Sequence, residues 1–323
     1  MSYLRAFGAF LPPTIVTNDD IATRTGKNAA AIERATGIRD RRYAAQGVSV
    51  LDLGEAAAKA CLSNAGIPLE DIGLILFSTG STDRSFPGPA SSLAARLGLN
   101  STPAIDLPIA SAGSLVAIAL AADLAPRYGN ILIVAAEIMS RRITYDDPDT
   151  AILFGDGAGA CLVSRDSGFA RIVDTALHTD GNYAESLSLA HNGTLHMVGL
   201  EVIMQASRKL PRVIADLLAK HGLTPADPGV YLLHQANLNL IRKVATALKA
   251  PEEKFFVNIA NYGNTSSASL LIAAAEWHAA NTNPAGPIIL AAFGAGFTWG
   301  AILAIPPHKS LPVSAIPCRT HRP

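Results

Sequence analysis

The sequence predicts an α/β layered fold, in which parallel strands are covered by helices. Short runs rich in β-branched residues alternate with longer alanine-rich amphipathic segments, and this alternation is typical of strand–helix–strand units. The chain has 323 residues, of which 49% are hydrophobic. That is enough apolar material for one large domain or for two fused half-domains.

Individual elements follow from the same periodicities. Strands are predicted over residues 72–78, 104–106, 130–136, 159–163, 230–233, 288–292 and 300–304. Helices are predicted over residues 50–65, 90–97, 115–127, 199–221, 238–248 and 267–281.

Two glycine-rich turns indicate an internal duplication. Phe154-Gly-Asp-Gly-Ala-Gly-Ala-Cys-Leu-Val is echoed by Phe293-Gly-Ala-Gly-Phe-Thr-Trp-Gly-Ala-Ile-Leu, and each turn leads into an apolar strand. We therefore predict an amino-terminal half over residues 1–164 and a carboxyl-terminal half over 165–306. Residues 307–323, rich in proline and basic residues, are predicted to be a surface extension.

Charge and cysteine content exclude several classes of function. The 26 lysines and arginines balance 26 aspartates and glutamates, so no nucleic-acid or anionic-membrane partner is expected. Cys61, Cys161 and Cys318 lack disulfide or metal-ligand spacing, as do the histidines, so we predict no metal site and a cytoplasmic, reducing compartment. There is no secretory signal pattern. The most apolar stretch, residues 115–125, is far shorter than the roughly 20 residues of a membrane span.

Ser111 stands where a predicted strand gives way to an alanine-rich helix, in Asp106-Leu-Pro-Ile-Ala-Ser-Ala-Gly-Ser-Leu. Unpaired N–H groups and a partial positive charge at a helix start favour developing negative charge, so a hydroxyl here can act as a nucleophile. A lone serine at this place is more often an ordinary helix cap.

His234 and Asn264 follow similar boundaries. His234 ends the apolar run of Tyr231-Leu-Leu-His-Gln-Ala-Asn, and functional groups of α/β sheets gather at the carboxyl ends of strands. Asn264 follows a glycine in Asn261-Tyr-Gly-Asn-Thr-Ser-Ser-Ala-Ser and can aim two N–H donors into a pocket. Each residue taken alone is more often structural, His234 as a satisfied histidine and Asn264 as a turn or cap residue.

Several motifs in order resemble the β-ketoacyl-acyl-carrier-protein synthase III family of the thiolase superfamily, from residue 1 to about residue 305. Besides the serine, histidine and asparagine segments, they include the two glycine-rich turns and Ala35-Thr-Gly-Ile-Arg-Asp-Arg near the start of the chain. The resemblance implies a five-layered αβαβα fold of two similar halves and an active homodimer.

The resemblance also implies roles for individual residues. Ser111 matches the family's nucleophilic cysteine, and His234 and Asn264 match its paired active-site residues. The backbone around Ala295 matches the donor to the thioester oxyanion, and Phe86 matches the residue that limits the partner's acyl pocket. No resident cofactor is implied. The substrate is a phosphopantetheine thioester carried by acyl carrier protein or by CoA.

Serine in place of the family's cysteine leaves three interpretations open. Ser111 is a natural nucleophile that needs His234 as its general base, a replacement introduced to trap a substrate, or the mark of a non-catalytic acyl-binding or partner subunit. We favour the first. If Ser111 is acylated, the acceptor is a malonyl thioester, as in the family, or alternatively an alcohol or amine that yields an ester or amide.

The carrier of the acyl group is a second departure. The family's tryptophan and arginine around the CoA adenine correspond to about Ala31 and to about Pro148 or Asp149, so the adenine sandwich is absent. Two basic residues that dock carrier protein in the family correspond to Met204 and Asn239. Basic residues on the neighbouring helices are the substitute docking candidates: Arg208, Lys209, Arg212, Arg242 and Lys243. Such residues are more often a solvated helix face.

Overall fold

A computed structural model describes residues 1–191 and 193–307 of the chain. Its strands are β1 (Ser2–Phe10), β2 (Thr14–Thr17), β3 (Asp40–Tyr43), β4 (Ile72–Ser78), β5 (Ala104–Leu107), β6 (Asn130–Ile138), β7 (Asp156–Ser164), β8 (Ala170–Thr179), β9 (Leu187–Leu189), β10 (Leu195–Met197), β11 (Val230–Leu233), β12 (Phe255–Phe256), β13 (Ile288–Gly294) and β14 (Thr298–Ile305). Its helices are α1 (Asn18–Thr25), α2 (Ala29–Thr36), α3 (Val50–Ala65), α4 (Pro89–Arg96), α5 (Gly113–Tyr128), α6 (Pro148–Ala151), α7 (Gly199–Lys220), α8 (Leu238–Leu248), α9 (Ile259–Tyr262) and α10 (Ser269–Ala280).

The main sheet consists of two halves with the same strand pattern. Its order is β12-β11-β13-β14-β8-β1-β7-β6-β4-β5. Counted outward from the centre, each half makes two antiparallel pairings and then two parallel ones, β1-β7-β6-β4-β5 on one side and β8-β14-β13-β11-β12 on the other. The halves meet where β1 pairs with β8. This repeat is the internal duplication that the two glycine-rich turns indicated.

Helices cover both faces of each half and make five layers. α5 and α10 lie between the halves and contact strands of both, and one apolar core joins them to both halves. α3 and α4 pack on the outer face of the first half, and α7 and α8 on that of the second, each pair around its own core. The result is the αβαβα arrangement.

Local signals explain why several predicted elements coincide with the observed ones. α3 begins at a capping box, in which Ser49 and Asp52 exchange hydrogen bonds, and ends at Gly66, whose φ of 59° favours glycine. The parallel strands β4 and β11 are almost continuously apolar because helices bury both of their faces.

The elements that were not predicted carry polar residues or are short. β1 and β8, which join the two halves, contain Arg5 and Asp174 among their residues, so neither reads as an apolar run. The last helix begins at Ser269, two residues later than predicted, because Ser266–Ala268 form a 3₁₀ turn. The predicted division at residue 164 falls between β7 and β8 and stays a prediction. Of the predicted extension 307–323, residues 308–323, including Cys318, lie outside the described residues.

Within the described ranges, no helix combines the length and apolarity needed to cross a membrane.

Candidate active site

Ser111 lies in a tight turn between β5 and α5. Its φ of 58° is in the left-handed region, which is uncommon for a non-glycine residue and is found at functional sites. The cap position of α5 is Ala112, and no side chain caps this helix. The interpretation of Ser111 as an ordinary helix cap is therefore wrong.

Two close contacts hold the Ser111 backbone. Its N–H donates to Ser266 Oγ at 3.0 Å. Gly294 packs directly against the turn, since a Cβ atom at residue 294 would lie 2.4 Å from the Ala110 carbonyl oxygen and 3.0 Å from Ser111 Cβ. Only glycine fits at residue 294 without moving the serine.

His234 follows the last residue of β11 and is almost completely buried. Its Nδ1 lies 2.5 Å from Ser269 Oγ, which also accepts the Gln235 N–H at 3.0 Å. A hydroxyl can donate or accept at Nδ1, so the neutral ring can carry its hydrogen on either nitrogen. Burial lowers the pKa of His234 to about 4, which keeps the imidazole neutral at neutral pH.

The Asn264 side chain stabilises a turn through its oxygen, and its Nδ2 group is a separate hydrogen-bond donor. Its Oδ1 accepts the Ser266 N–H at 2.8 Å, which assigns the amide oxygen to the turn. The Nδ2 group finds no acceptor among the residues that the structure describes. The turn interpretation is thus correct for the oxygen, and the nitrogen is available to a substrate.

A parallel bridge fixes the Asn264 segment against the loop before β7. The Asn264 N–H donates to the Leu153 carbonyl at 2.9 Å, and the Gly155 N–H donates to the Asn264 carbonyl at 3.1 Å. Beneath this bridge, the fully buried Arg41 donates to the Ile152 carbonyl at 2.7 Å. The glycine-rich turn after Phe154 therefore supports the site.

Glu137 was missed by sequence reasoning and ties the same segment to β6. This fully buried carboxylate accepts hydrogen bonds from Ser81 Oγ and Ser267 Oγ, each at 2.6 Å, and from the Gly80 N–H at 3.1 Å. The one available signal was a charged residue in an otherwise apolar strand, since such a residue needs partners when buried. Ser266 and Ser269 were likewise noted only as small hydroxyl residues.

Ser111, His234 and Asn264 all line one cavity of about 450 Å³. Ser266 and Phe293 also line it. Its inner wall is apolar and comes from several elements: Met139, Phe154, Leu187, Leu195, Met197, Val202, Ala206 and Leu210. The cavity thus combines a hydroxyl, an imidazole and an amide with space for an apolar chain.

Ala295 and Phe86, two further residues predicted to belong to the site, do not line the cavity. Ala295 begins the 3₁₀ turn after Gly294, the residue that touches the Ser111 turn, and it is not among the cavity-lining residues. Phe86 is 86% exposed and lies outside the cavity of its own chain. Their roles at the oxyanion and across a dimer stay predictions.

The five basic residues predicted to dock a carrier protein differ in whether they form an ion pair. Lys209 pairs with Asp180, Arg212 with Asp216, and Arg242 with Glu252, at 2.8, 3.8 and 2.9 Å. Arg208 and Lys243 are exposed and make no ion pair among the described residues. Their roles in carrier docking stay predictions, like those of the three paired residues.

Models of known families match both halves of the chain. The description 3-oxoacyl-[acyl-carrier-protein (ACP)] synthase III matches residues 105–181, and its C-terminal counterpart matches residues 218–304. A β-ketoacyl-[acyl-carrier-protein] synthase III of Oleidesulfovibrio alaskensis is 36% identical, over 94% of this chain and 98% of that protein. The chain belongs to the 3-oxoacyl-[acyl-carrier-protein] synthase III family.

Solved structures agree with this synthase III assignment and with the thiolase-like fold. The Aquifex aeolicus 3-oxoacyl-[acyl-carrier-protein] synthase III superposes with a TM-score of 0.90 at 32% identity, covering 94% of this chain and all of that one. The priming β-ketosynthase of the R1128 polyketide biosynthetic pathway superposes with a TM-score of 0.88 at 30% identity, covering 95% and 96%. Both solved structures thus share the fold of this chain over more than nine-tenths of its length.

The burial of His234 predicts an unusual pH dependence for acyl transfer. His234 must be neutral to accept a proton as a base, and also to donate a hydrogen bond without carrying a positive charge. Its pKa is about 4 instead of the ordinary 6.5. We expect kcat/KM with an acyl-pantetheine donor to hold from about pH 7 to about pH 5 and to fall with a midpoint near the His234 pKa. The rate of acyl-enzyme formation, followed by mass spectrometry, measures it. Replacing the exposed His196 by glutamine leaves the profile unchanged, and a midpoint near 6.5 contradicts the prediction.

Proposed function

We propose that this chain loads an acyl group from a phosphopantetheine thioester onto Ser111 and condenses it with a malonyl thioester. The observation that carries the proposal is the pair of neutral groups beside Ser111. Asn264 has its amide oxygen committed to the Ser266 N–H, and His234 is kept uncharged by burial. Two neutral donors at one cavity suit an enolate oxygen, because each stabilises negative charge without repelling it.

Loading exchanges a thioester for an oxygen ester. In this step the neutral His234 ring carries its hydrogen on Nδ1, which faces Ser269 Oγ. Its Nε2 atom then accepts the Ser111 proton as the bond between Ser111 Oγ and the acyl carbon forms. The carbon–sulfur bond then breaks, and the departing sulfur takes that proton. The positive end of α5 favours the negative charge that develops beside Ser111. Because the Ser111 N–H is held by Ser266 Oγ, we assign the oxyanion to the Ala295 N–H.

Condensation then uses the second tautomer. Malonyl thioester loses carbon dioxide, and the released electron pair forms an enolate whose oxygen accepts from His234 Nε2–H and Asn264 Nδ2. The enolate carbon attacks the Ser111 ester, a carbon–carbon bond forms, and the departing Ser111 oxygen takes up a proton that solvent supplies. A β-ketoacyl thioester is the product, which makes this a chain-initiating reaction of fatty acid or polyketide synthesis.

The family resemblance extends the proposal to the assembly. We propose a cytoplasmic homodimer in which the exposed Phe86 side chain reaches the partner subunit's acyl pocket. No resident cofactor takes part, because the reacting carbonyls arrive as thioesters.

The test incubates the protein with an acyl thioester and malonyl-acyl carrier protein, and follows carbon dioxide, the β-ketoacyl product and the mass of the Ser111 peptide. An acyl adduct with carbon dioxide release supports the proposal. An adduct that passes only to an added alcohol or amine identifies an ester- or amide-forming acyltransferase instead. The absence of any adduct favours a non-catalytic acyl-binding subunit or a serine that replaces a more reactive residue.

A further inference from the structure

We infer that Ser269 is a positioning residue, whose hydroxyl holds the resting His234 ring in the tautomer that carries its hydrogen on Nε2. Ser269 does not line the cavity, so it acts through the imidazole and not on the substrate. The assignment concerns the enzyme before any substrate binds, and its consequence for catalysis rests on the proposed function.

The Ser269 hydroxyl is buried and has two hydrogen-bond neighbours among the described residues. It accepts the Gln235 N–H at 3.0 Å, and its Oγ lies 2.5 Å from His234 Nδ1. A serine hydroxyl has one hydrogen and two acceptor lone pairs. Because Gln235 occupies one lone pair, the hydrogen and the second lone pair are left for Nδ1.

The two neutral tautomers of His234 use this hydroxyl differently. When Nδ1 is bare, Ser269 donates its hydrogen to Nδ1, and every polar group at the contact is paired. When Nδ1 carries the hydrogen, Nδ1 donates instead, and the Ser269 hydroxyl hydrogen has no acceptor within the described part of the chain. A buried donor without a partner disfavours that second tautomer by about tenfold or more. The resting ring therefore carries its hydrogen on Nε2.

The surroundings of the ring support this assignment. His234 Nε2 makes no hydrogen bond to the described residues and is not one of their fully buried unpartnered atoms, so it is open to the cavity. Burial is the one cause of the lowered His234 pKa, so no charged neighbour in the described chain holds a hydrogen on Nδ1. The buried carboxylate of Glu137 accepts from Ser267, two residues before Ser269.

The backbone around His234 keeps the ring against Ser269. The His234 N–H donates to the Ala291 carbonyl at 2.9 Å. The buried Gln235 side chain accepts the Asn258 N–H at 3.1 Å and so fixes the next residue. Ser269 is the first residue of α10, which packs between the two halves of the sheet. The contact between hydroxyl and imidazole is therefore held from both sides.

This tautomer suits one of the two proposed steps better than the other. A hydrogen on Nε2 is the donor that an enolate oxygen needs, so the site is arranged for condensation before malonyl thioester arrives. Loading of Ser111 needs a bare Nε2 as the base, so it uses the less populated tautomer. A carboxylate in place of the Ser269 hydroxyl would hold the hydrogen on Nδ1, as it does in serine–histidine–aspartate triads.

Nitrogen NMR of the intact enzyme tests the tautomer directly. The protein is labelled in its histidine rings, and the His234 signals are identified by their loss in His234→Gln. Spectra are recorded at mildly alkaline pH, where the ring is neutral. We expect Nδ1 to resonate as a bare imidazole nitrogen and Nε2 as a protonated one. A spectrum with the hydrogen on Nδ1, or with both tautomers equally populated, overturns the inference.

Two substitutions of Ser269 test whether its hydroxyl sets the tautomer. Ser269→Asp introduces a carboxylate that can only accept, at a helix start that favours negative charge. We expect the His234 hydrogen to move to Nδ1. The ratio of the acylation rate to the condensation rate should rise at least about tenfold, because the enolate loses a donor. Ser269→Thr keeps a hydroxyl at the same place, so the spectrum and the ratio should match those of the native enzyme.

Ser167→Asp is the control for the added charge. Ser167 lies in an exposed loop away from the cavity, where its Oγ accepts from Arg5 at 2.9 Å, and neither the spectrum nor the ratio should change. A native tautomer in Ser269→Asp contradicts the inference, and so does an equal change in Ser167→Asp. If Ser269→Asp does not fold, the native spectrum decides alone.

The spectrum requires no turnover, so the inference and the proposed function can fail separately. A hydrogen on Nε2 without any acyl adduct on Ser111 supports the tautomer assignment and removes the proposed function. A hydrogen on Nδ1 in an enzyme that condenses normally overturns the assignment and leaves the proposed function intact.

Discussion

Replacing Ser111 by alanine is expected to abolish the covalent acyl adduct and to lower condensation by at least about 10³-fold, because removing a catalytic nucleophile removes the acyl-enzyme route altogether. The measurement is mass spectrometry of the intact chain after exposure to an acyl thioester, together with the rate of β-ketoacyl product. Decarboxylation of malonyl thioester alone is expected to persist, since it relies on His234 and Asn264.

Two further variants make the Ser111 result specific. Ser114→Ala removes a buried hydroxyl three residues later, at the start of α5, which lacks a hydrogen-bond partner among the described residues, so acylation should continue. Ser111→Cys places a thiol where the helix start favours a thiolate, and it should accept acyl groups even when His234 is replaced by alanine. An acyl adduct that survives in Ser111→Ala would assign the nucleophile to another residue.

Replacing Asn264 by aspartate is expected to lower condensation by about 10² to 10³-fold while acylation of Ser111 changes only a few-fold. One carboxylate oxygen can still accept the Ser266 N–H, as Oδ1 does now at 2.8 Å. The other takes the place of the Nδ2 donor and repels the enolate oxygen, and a lost oxyanion donor typically costs this much in rate. Single-turnover acylation and carbon dioxide release, measured on the same preparation, separate the two steps.

The matched control for Asn264 lies three residues earlier. Asn261→Asp introduces the same charge at an exposed position, where Oδ1 accepts from Arg39 at 3.5 Å, and should affect neither step strongly. Equal losses of acylation and condensation in Asn264→Asp would mean that Asn264 only supports the fold.

Individual residues show where sequence reasoning succeeded. The apolar run of β11 ends at His234, the turn before α5 contains Ser111, and a glycine precedes Asn264. Each of these features depends on neighbours within a few residues, so a local pattern locates it, whereas the ordered family motifs marked the three residues as one site. The structure then places all three on one cavity.

Other features depend on residues that are distant in the chain. Glu137 stands out in the sequence only as a charged residue in an apolar strand, and its partner Ser267 lies 130 residues away. The pairing of β1 with β8 at the centre of the sheet joins strands whose polar residues conceal them. The cavity wall forms only where α2, α6, α7 and α8 come together.

The sequence by itself determined the α/β class, the two related halves and the family, because apolar periodicity and ordered motifs are properties of the chain. Tertiary structure alone decided which atoms of these residues are free to react. The Asn264 Nδ2 group is the part of the amide that can bind a substrate, because its Oδ1 accepts the Ser266 N–H. His234 is neutral because burial of the imidazole disfavours its charged form. Ser111 lines the cavity from a turn in which its φ is 58°, outside the cap position of α5. Hydrogen-bond commitment and desolvation are set by packing between distant segments, and no local pattern in the sequence records them.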